Sequence, residues 1–102
     1  MEVGDYILIL VTYDVNTELE AGKGRLRKVA KICERYGQRV QNSVFECILD
    51  ITQYTEFKAE LLGVIKTETD SLRFYRLGNN YKGQVETFGA NVSWAQDDVL
   101  LL

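Results

Sequence analysis

Short apolar runs alternate with amphipathic stretches along the chain. Tyr6 to Tyr13 reads YILILVTY, a continuous apolar and β-branched run that predicts a strand covered on both faces and ended by Asp14. Residues 15–22 (VNTELEAG) are polar and predict a loop. From Lys23 to Tyr36 the period becomes helical. Leu26, Val29, Ala30, Cys33 and Tyr36 make an apolar stripe, and Lys23, Arg27, Lys31 and Arg35 recur every four residues on another face. Gly37 stands at the expected C-cap. Arg39 to Gln41 predicts a short strand, Asn42 and Ser43 a turn, and Val44 to Ile51 a strand whose Phe45, Cys47, Leu49 and Ile51 give one wholly apolar face. Thr52 or Thr55 is the expected cap of a second helix, with Phe57, Leu61, Leu62 and Ile65 as its stripe through about Lys66. Ser71 to Leu77 predicts a strand, Gly78 to Asn80 a turn, and Val85 to Phe88 a short extra strand. The tail from Gly89 to Leu102 has no assignable period, although Trp94 and Val99–Leu102 are apolar enough to need cover.

Strand, helix, strand, strand, helix, strand is the order of the ferredoxin-like α+β fold, βαββαβ, with both helices on one face of an antiparallel sheet. One domain fits the length of 102 residues, with about 79–102 as a C-terminal extension. The first strand is apolar on both sides: Tyr6, Leu8 and Leu10 point one way, Ile7, Ile9 and Val11 the other. Helices cover one side only. A second copy packed sheet to sheet is the simplest cover for the other, since each buried side chain contributes roughly 1.5–3 kcal/mol. A symmetric homodimer is therefore expected, with the C-terminal strand exchanged between protomers. The competing arrangement is a monomer whose own tail folds across the sheet.

Charge changes this picture locally. The net charge is -3, which by itself argues against a nucleic-acid partner. Yet Lys23, Arg25, Arg27, Lys28, Lys31, Arg35 and Arg39 face a single acid, Glu34, within residues 23–39. A field of that kind survives inside a Debye length of about 8 Å, so one helix can attract phosphate on an acidic protein. A merely solvated helix face explains the same pattern. The chain has no histidine, which removes Ser-His and Cys-His nucleophiles and imidazole metal sites. Cys33 and Cys47 have no metal-ligand spacing and fall on apolar faces, as reduced thiols of a cytoplasmic protein would. No apolar run approaches the roughly 20 residues that span a bilayer, and Met1 to Asp5 does not read as a secretory signal.

Asp14 is the sharpest chemical candidate, because it stands where an apolar strand opens into a polar loop. One carboxylate is a thin ligand set for Mg²⁺, but a two-fold axis near Asp14 would bring a second from the partner. A strand-capping role accounts for the residue equally well. Tyr13 points to the opposite face, as a core or interface aromatic. Arg39 can bind phosphate through its fork or serve as an edge-strand charge. Phe45 belongs to the core or packs at a nucleic-acid surface. Ser43 has no base partner. The RNP aromatics, a Walker loop and GxGxxG are all missing.

VTYDVN (Val11–Asn16) followed by GRLRKVAKICERYGQRVQNSVFEC (Gly24–Cys47) resembles a CRISPR-associated family: the small spacer-acquisition protein, the second "Cas" family, which partners a larger integrase. The likeness runs from about Tyr6 to Leu77, and SLRFYRLGNN (Ser71–Asn80) resembles its type I-C branch. The resemblance implies a ferredoxin-like homodimer with Asp14 at the position of the family's magnesium-binding aspartate, Mn²⁺ being a substitute. It implies that Arg39 and Phe45 lie near the cleavage site, and that Arg25 and Arg27, with Lys31 beyond them, make the basic helix that holds nucleic acid. The implied activity is metal-dependent endonucleolytic cleavage of single-stranded RNA or double-stranded DNA. The implied assembly is the central dimer of the integrase complex. A non-catalytic DNA-binding scaffold and, more remotely, a small-molecule regulatory dimer are the readings that compete with a nuclease.

Overall fold

The structure, a computed structural model, describes residues 6–77 and 85–90. The expected turn at Gly78–Asn80, the course of 91–102 and the reading of Met1–Asp5 lie outside the described residues, as does most of the C-terminal extension expected to join a dimer. The element order is β1 (Ile7–Asp14), α1 (Glu20–Tyr36), β2 (Gly37–Gln41), β3 (Val44–Leu49), α2 (Ile51–Leu62), β4 (Ser71–Leu77) and β5 (Val85–Gly89). All pairings are antiparallel, in the order β2-β3-β1-β4-β5. This is the ferredoxin-like arrangement, and β5 adds to the edge of β4 in its own chain.

Ile9, Val11 and Tyr13 of β1 face the helices and are buried with Phe45, Cys47 and Leu49 of β3 and Leu72 and Phe74 of β4. From the helices come Val29, Ile32 and Cys33 of α1 and Tyr54, Phe57 and Leu61 of α2. Phe74 packs edge-on against Tyr54, Phe57 and Phe88, so β4, α2 and β5 share one aromatic cluster. Tyr54 donates to Glu86 of β5 (2.6 Å), which also accepts from Lys58 (2.9 Å), tying β5 to α2. Both cysteines are free and buried. Burial, with Cys47 as neighbour, pushes the Cys33 thiol up to about 12, and burial pushes Cys47 to about 11; neither is a thiolate at neutral pH.

Four local expectations are corrected. α1 begins at Glu20, not Lys23, although Gly22 and Gly24 are poor helix formers. Packing overrides propensity there, because Gly22 is buried where a Cβ would run into the Asn16 carbonyl. Gly37 does stand at the C-cap as expected, its N–H donating to the Cys33 carbonyl, but its backbone is extended rather than left-handed, and it opens β2 directly after α1. Its lack of a side chain serves a close approach instead, since a Cβ would meet the Glu46 carbonyl and the Cys47 sulfur. β3 ends at Leu49, and Asp50, not Thr52 or Thr55, caps α2. Asp50 accepts from Gln53 N–H (2.8 Å) while the Gln53 side chain accepts from Asp50 N–H (2.9 Å), a reciprocal box. α2 stops at Leu62, short of Lys66.

One polar group lies inside this frame. Asp70, just before β4, is 0% exposed. Its Oδ1 accepts from Asn16 N–H (3.0 Å), Thr69 Oγ1 (3.0 Å) and Arg25 Nη2 (3.3 Å), and its Oδ2 from Arg25 Nε (2.8 Å) and Lys66 N–H (2.9 Å). Its backbone carbonyl accepts from Ala90 N–H (2.9 Å). Four segments thus meet at one residue. Burial on its own would raise the carboxyl, but the Arg25 guanidinium and the donors from Lys66, Asn16 and Thr69 outweigh it and hold it at about 2.

Two outcomes are expected from this frame. Gly37→Ala costs about 1–3 kcal/mol, through overpacking against β3. Gly63→Ala, at a helical exposed site where a Cβ finds ordinary contacts at 3.4–3.5 Å, gains up to about 1 kcal/mol by restricting the unfolded chain. Urea denaturation of both variants measures the difference. Asp70 has a folded pKa of about 2, below its ordinary 3.8. Its contribution is therefore complete above about pH 4 and lost as pH falls through about 2. The loss is about 2 kcal/mol. Denaturation midpoints followed from pH 5 to pH 2 fall accordingly, and in Asp70→Asn that part of the fall disappears.

Candidate functional site at the end of the central strands

β1 runs between β3 and β4, and its last residue, Asp14, brings a carboxylate to the edge of the sheet. Strand alternation turns Tyr13 to the core and Asp14 to the helix-free face, as their burial records. Asp14 is exposed and pairs in register with Ser71 of β4. Among the described residues no hydrogen bond or ion pair engages its side chain. On the same face the next row is Thr12, Arg73 of β4 and Thr87 of β5. Arg73 is buried there, a cation two positions along the sheet from Asp14.

The turn joining β2 and β3 closes the other flank. Tyr13 N–H donates to the Ser43 carbonyl (3.1 Å), and Tyr13 O–H to the Asn42 carbonyl (3.3 Å). Arg39 donates to the same Asn42 carbonyl (2.6 Å), pairs with Glu34 (3.5 Å) and lies over the Phe45 ring at 4.9 Å. Arg39 is exposed at this end, as a phosphate-facing arm must be. Burial and the neighbouring Cys33 raise the Tyr13 phenol above its ordinary value, with Arg39 opposing. Tyr13 therefore stays protonated at neutral pH and is no general base.

Two of the nucleic-acid candidates are occupied by contacts within the protein. Phe45 is 0% exposed and stacks against Tyr13 in the core at a centroid distance of 6.2 Å, so no face is left for a base. Strand alternation puts it with Cys47 and Leu49, under the helices. Arg25 is committed to Asp70 through both fork nitrogens and reaches toward the Asn16 carbonyl (3.5 Å). It organises protein, and its fork is not open to phosphate. The basic segment shrinks further: Lys23 pairs with Glu20, Arg35 with Glu60 and Arg39 with Glu34. Arg27, Lys28 and Lys31 remain exposed on α1, with no ion-pair partner among the described residues. Of the expected set, then, Asp14 and Arg39 come to one end of the sheet, Arg27 and Lys31 lie along α1, and Arg25 joins the strand end from behind.

Asp70 and Arg73 are residues that sequence reasoning missed. Alternation in SLRFYRL does put Arg73 opposite Leu72 and Phe74, a signal that could have found it. Asp70 has none: one acid in the polar turn TETD looks like its neighbours until the fold brings Arg25 to it.

The oxygen-only donor set at Asp14 suits a hard cation. No group of three or more His, Cys, Asp or Glu side chains that could hold a metal occurs among the described residues. An exposed carboxylate without an internal partner is compatible with Mg²⁺ completed by water or by a second carboxylate. No helix among the described residues is long and apolar enough to cross a membrane.

Known proteins resemble this chain in sequence and in fold. A protein from Halalkalibacterium halodurans called "CRISPR-associated endonuclease Cas2" is 60% identical over 95 residues, 93% of this chain and 99% of that one. One from Chlorobaculum tepidum called "CRISPR-associated endoribonuclease Cas2" is 51% identical, over 94% of this chain and 100% of its own. The crystal structure of Streptococcus pyogenes Cas2 at pH 6.5 superposes with a TM-score of 0.66 at 56% identity, covering 80% of this chain and 99% of that one. The family described as "CRISPR associated protein Cas2" matches residues 7–85, from the first residue of β1 to the first of β5, and the chain belongs to that family.

Proposed function

We propose that the protein is a nuclease of CRISPR adaptation that hydrolyses phosphodiester bonds with Mg²⁺ held at Asp14, acting as a symmetric homodimer. The observation that carries this reading is the exposed, unengaged Asp14 carboxylate on the helix-free face of a family member whose relatives are called endonuclease and endoribonuclease. The dimer reading is supported by that same face. Leu77, Leu8 and Ile48 lie in one register row across β4, β1 and β3 and are 39%, 37% and 68% exposed. Apolar side chains so arranged favour a second copy. Facing sheets would bring two Asp14 carboxylates toward one axis.

In the chemistry proposed, each Asp14 holds the cation and Arg39 orients a phosphate through its fork. Arg27 and Lys31 attract the backbone electrostatically, and Arg73 adds positive charge beside the acid. When bound, Mg²⁺ supplies Lewis-acid polarisation of the phosphodiester and a more acidic water. Tyr13 packs and does not transfer protons. The relatives' names divide between endonuclease and endoribonuclease, and duplex DNA and single-stranded RNA are both substrates under this reading.

A second reading is favoured by the Arg27–Lys28–Lys31 patch, the part of α1 whose charge is left uncompensated. There the dimer is a scaffold that holds duplex DNA for a larger integrase subunit in the adaptation complex, with or without its own cleavage.

Asp14→Asn keeps an intact dimer by light scattering and loses Mg²⁺-dependent cleavage of labelled duplex DNA and single-stranded RNA, by about 100-fold or more. Cleavage that survives this substitution overturns the catalytic reading. Reversing Arg27, Lys28 and Lys31 to Glu weakens duplex binding by about tenfold or more and flattens its salt dependence. Unchanged retention on DNA at every salt concentration counts against both readings of the patch.

A further inference from the structure

Asp14 sits at a strand end, where chains fray unless something beyond the last pairing holds them. Here the holding group is Asp70. Its Oδ1 accepts from the N–H of Asn16, two residues past Asp14 (3.0 Å), and its own chain continues into Ser71, the register partner of Asp14. Both backbones that flank the Asp14 side chain are therefore fixed by one buried carboxylate. Arg25 completes the clamp by gripping both Asp70 oxygens and reaching the Asn16 carbonyl, while Gly22 presses α1 against that same carbonyl. On the far side Gly89, at φ 99°, brings β5 against the Asp70 carbonyl.

We infer that Asp70 and Arg25 are positioning residues for Asp14: the pair sets the direction in which each protomer presents its carboxylate to a divalent cation. This rests on the metal reading above and deepens it. A shared ion makes the requirement strict, since a displacement of the strand end occurs in both protomers and counts twice in the distance between their carboxylates. An amide cannot replace Asp70. Five donors converge on its two oxygens, and one side of an asparagine would present N–H groups to them. Lysine cannot replace Arg25, because a single ammonium does not reproduce the fork.

Mn²⁺ binding to the purified full-length protein, followed by the electron paramagnetic resonance signal of the free ion, tests this without reference to turnover. Asp14→Asn is the reference for loss of the site. Phe57→Leu, in the core between Tyr36 and Phe74, is the control for lowered stability alone. Asp70→Asn and Arg25→Lys are expected to stay folded at 25 °C and to bind Mn²⁺ about tenfold more weakly or worse, while Phe57→Leu binds as wild type does. Thr69→Val, which removes one donor from Asp70, gives a smaller loss in the same direction and decides the matter with Arg25→Lys if Asp70→Asn does not fold. Wild-type affinity in the clamp variants overturns the inference, as does an equal loss in Phe57→Leu. Absence of Mn²⁺ binding by the wild type, or binding unchanged in Asp14→Asn, overturns the metal reading and this inference with it.

Discussion

A carboxylate sealed from water must be surrounded by donors or it destabilises the fold that seals it. The Asp70 carboxylate meets that demand with donors from the loop after β1, the first half of α1 and the turn after α2, while its backbone carbonyl accepts from Ala90 N–H after β5. Asp70 and Arg25, the pair at its centre, stand 45 positions apart. Satisfying one anion therefore fixes where α1 starts and where β4 enters the sheet, and it fixes the strand end that carries Asp14. The Arg25 side chain keeps some exposure, so the pair is a plug at the sheet's edge with one face toward water.

The two faces of the sheet are held by different physics. Under the helices, aromatic and branched side chains from six elements exclude water around Phe74 and Phe57. The opposite face carries Leu8, Ile48 and Leu77 at one end and Asp14, Thr12 and Arg73 at the other. Its apolar end favours a second sheet, and its polar end gathers charge where the proposed second copy would double it. Under the proposed function, that division lets one surface serve assembly and chemistry at once. Compensation of charge is just as uneven on α1, where Lys23, Arg25 and Arg35 are matched by acids and Arg27, Lys28 and Lys31 are left to face solvent.

Much of this architecture is legible in the chain. Alternation in residues 44–49 puts Phe45, Cys47 and Leu49 on the core face, and the period of residues 26–33 gives α1 its buried stripe, because both patterns reflect a local geometry of side chains. The order of elements then leaves few topologies, and the ferredoxin-like one is observed. Boundaries read less well. Gly22 and Gly24 argue against helix locally, yet α1 covers them since Gly22 alone can meet the Asn16 carbonyl. Gly37 caps α1 as its position predicts, yet in an extended backbone whose missing side chain serves a close approach to β3.

Fold class, the two-sided apolar character of β1 and the prominence of Asp14 are all written in neighbouring residues at a fixed spacing. Which charges are free follows from how the elements pack. Arg25 and Arg27 are two residues apart on one basic helix and look alike in the chain; one is drawn inward by a carboxylate 45 positions away and the other is left in water. Long-range pairing is set by packing, which no local period encodes.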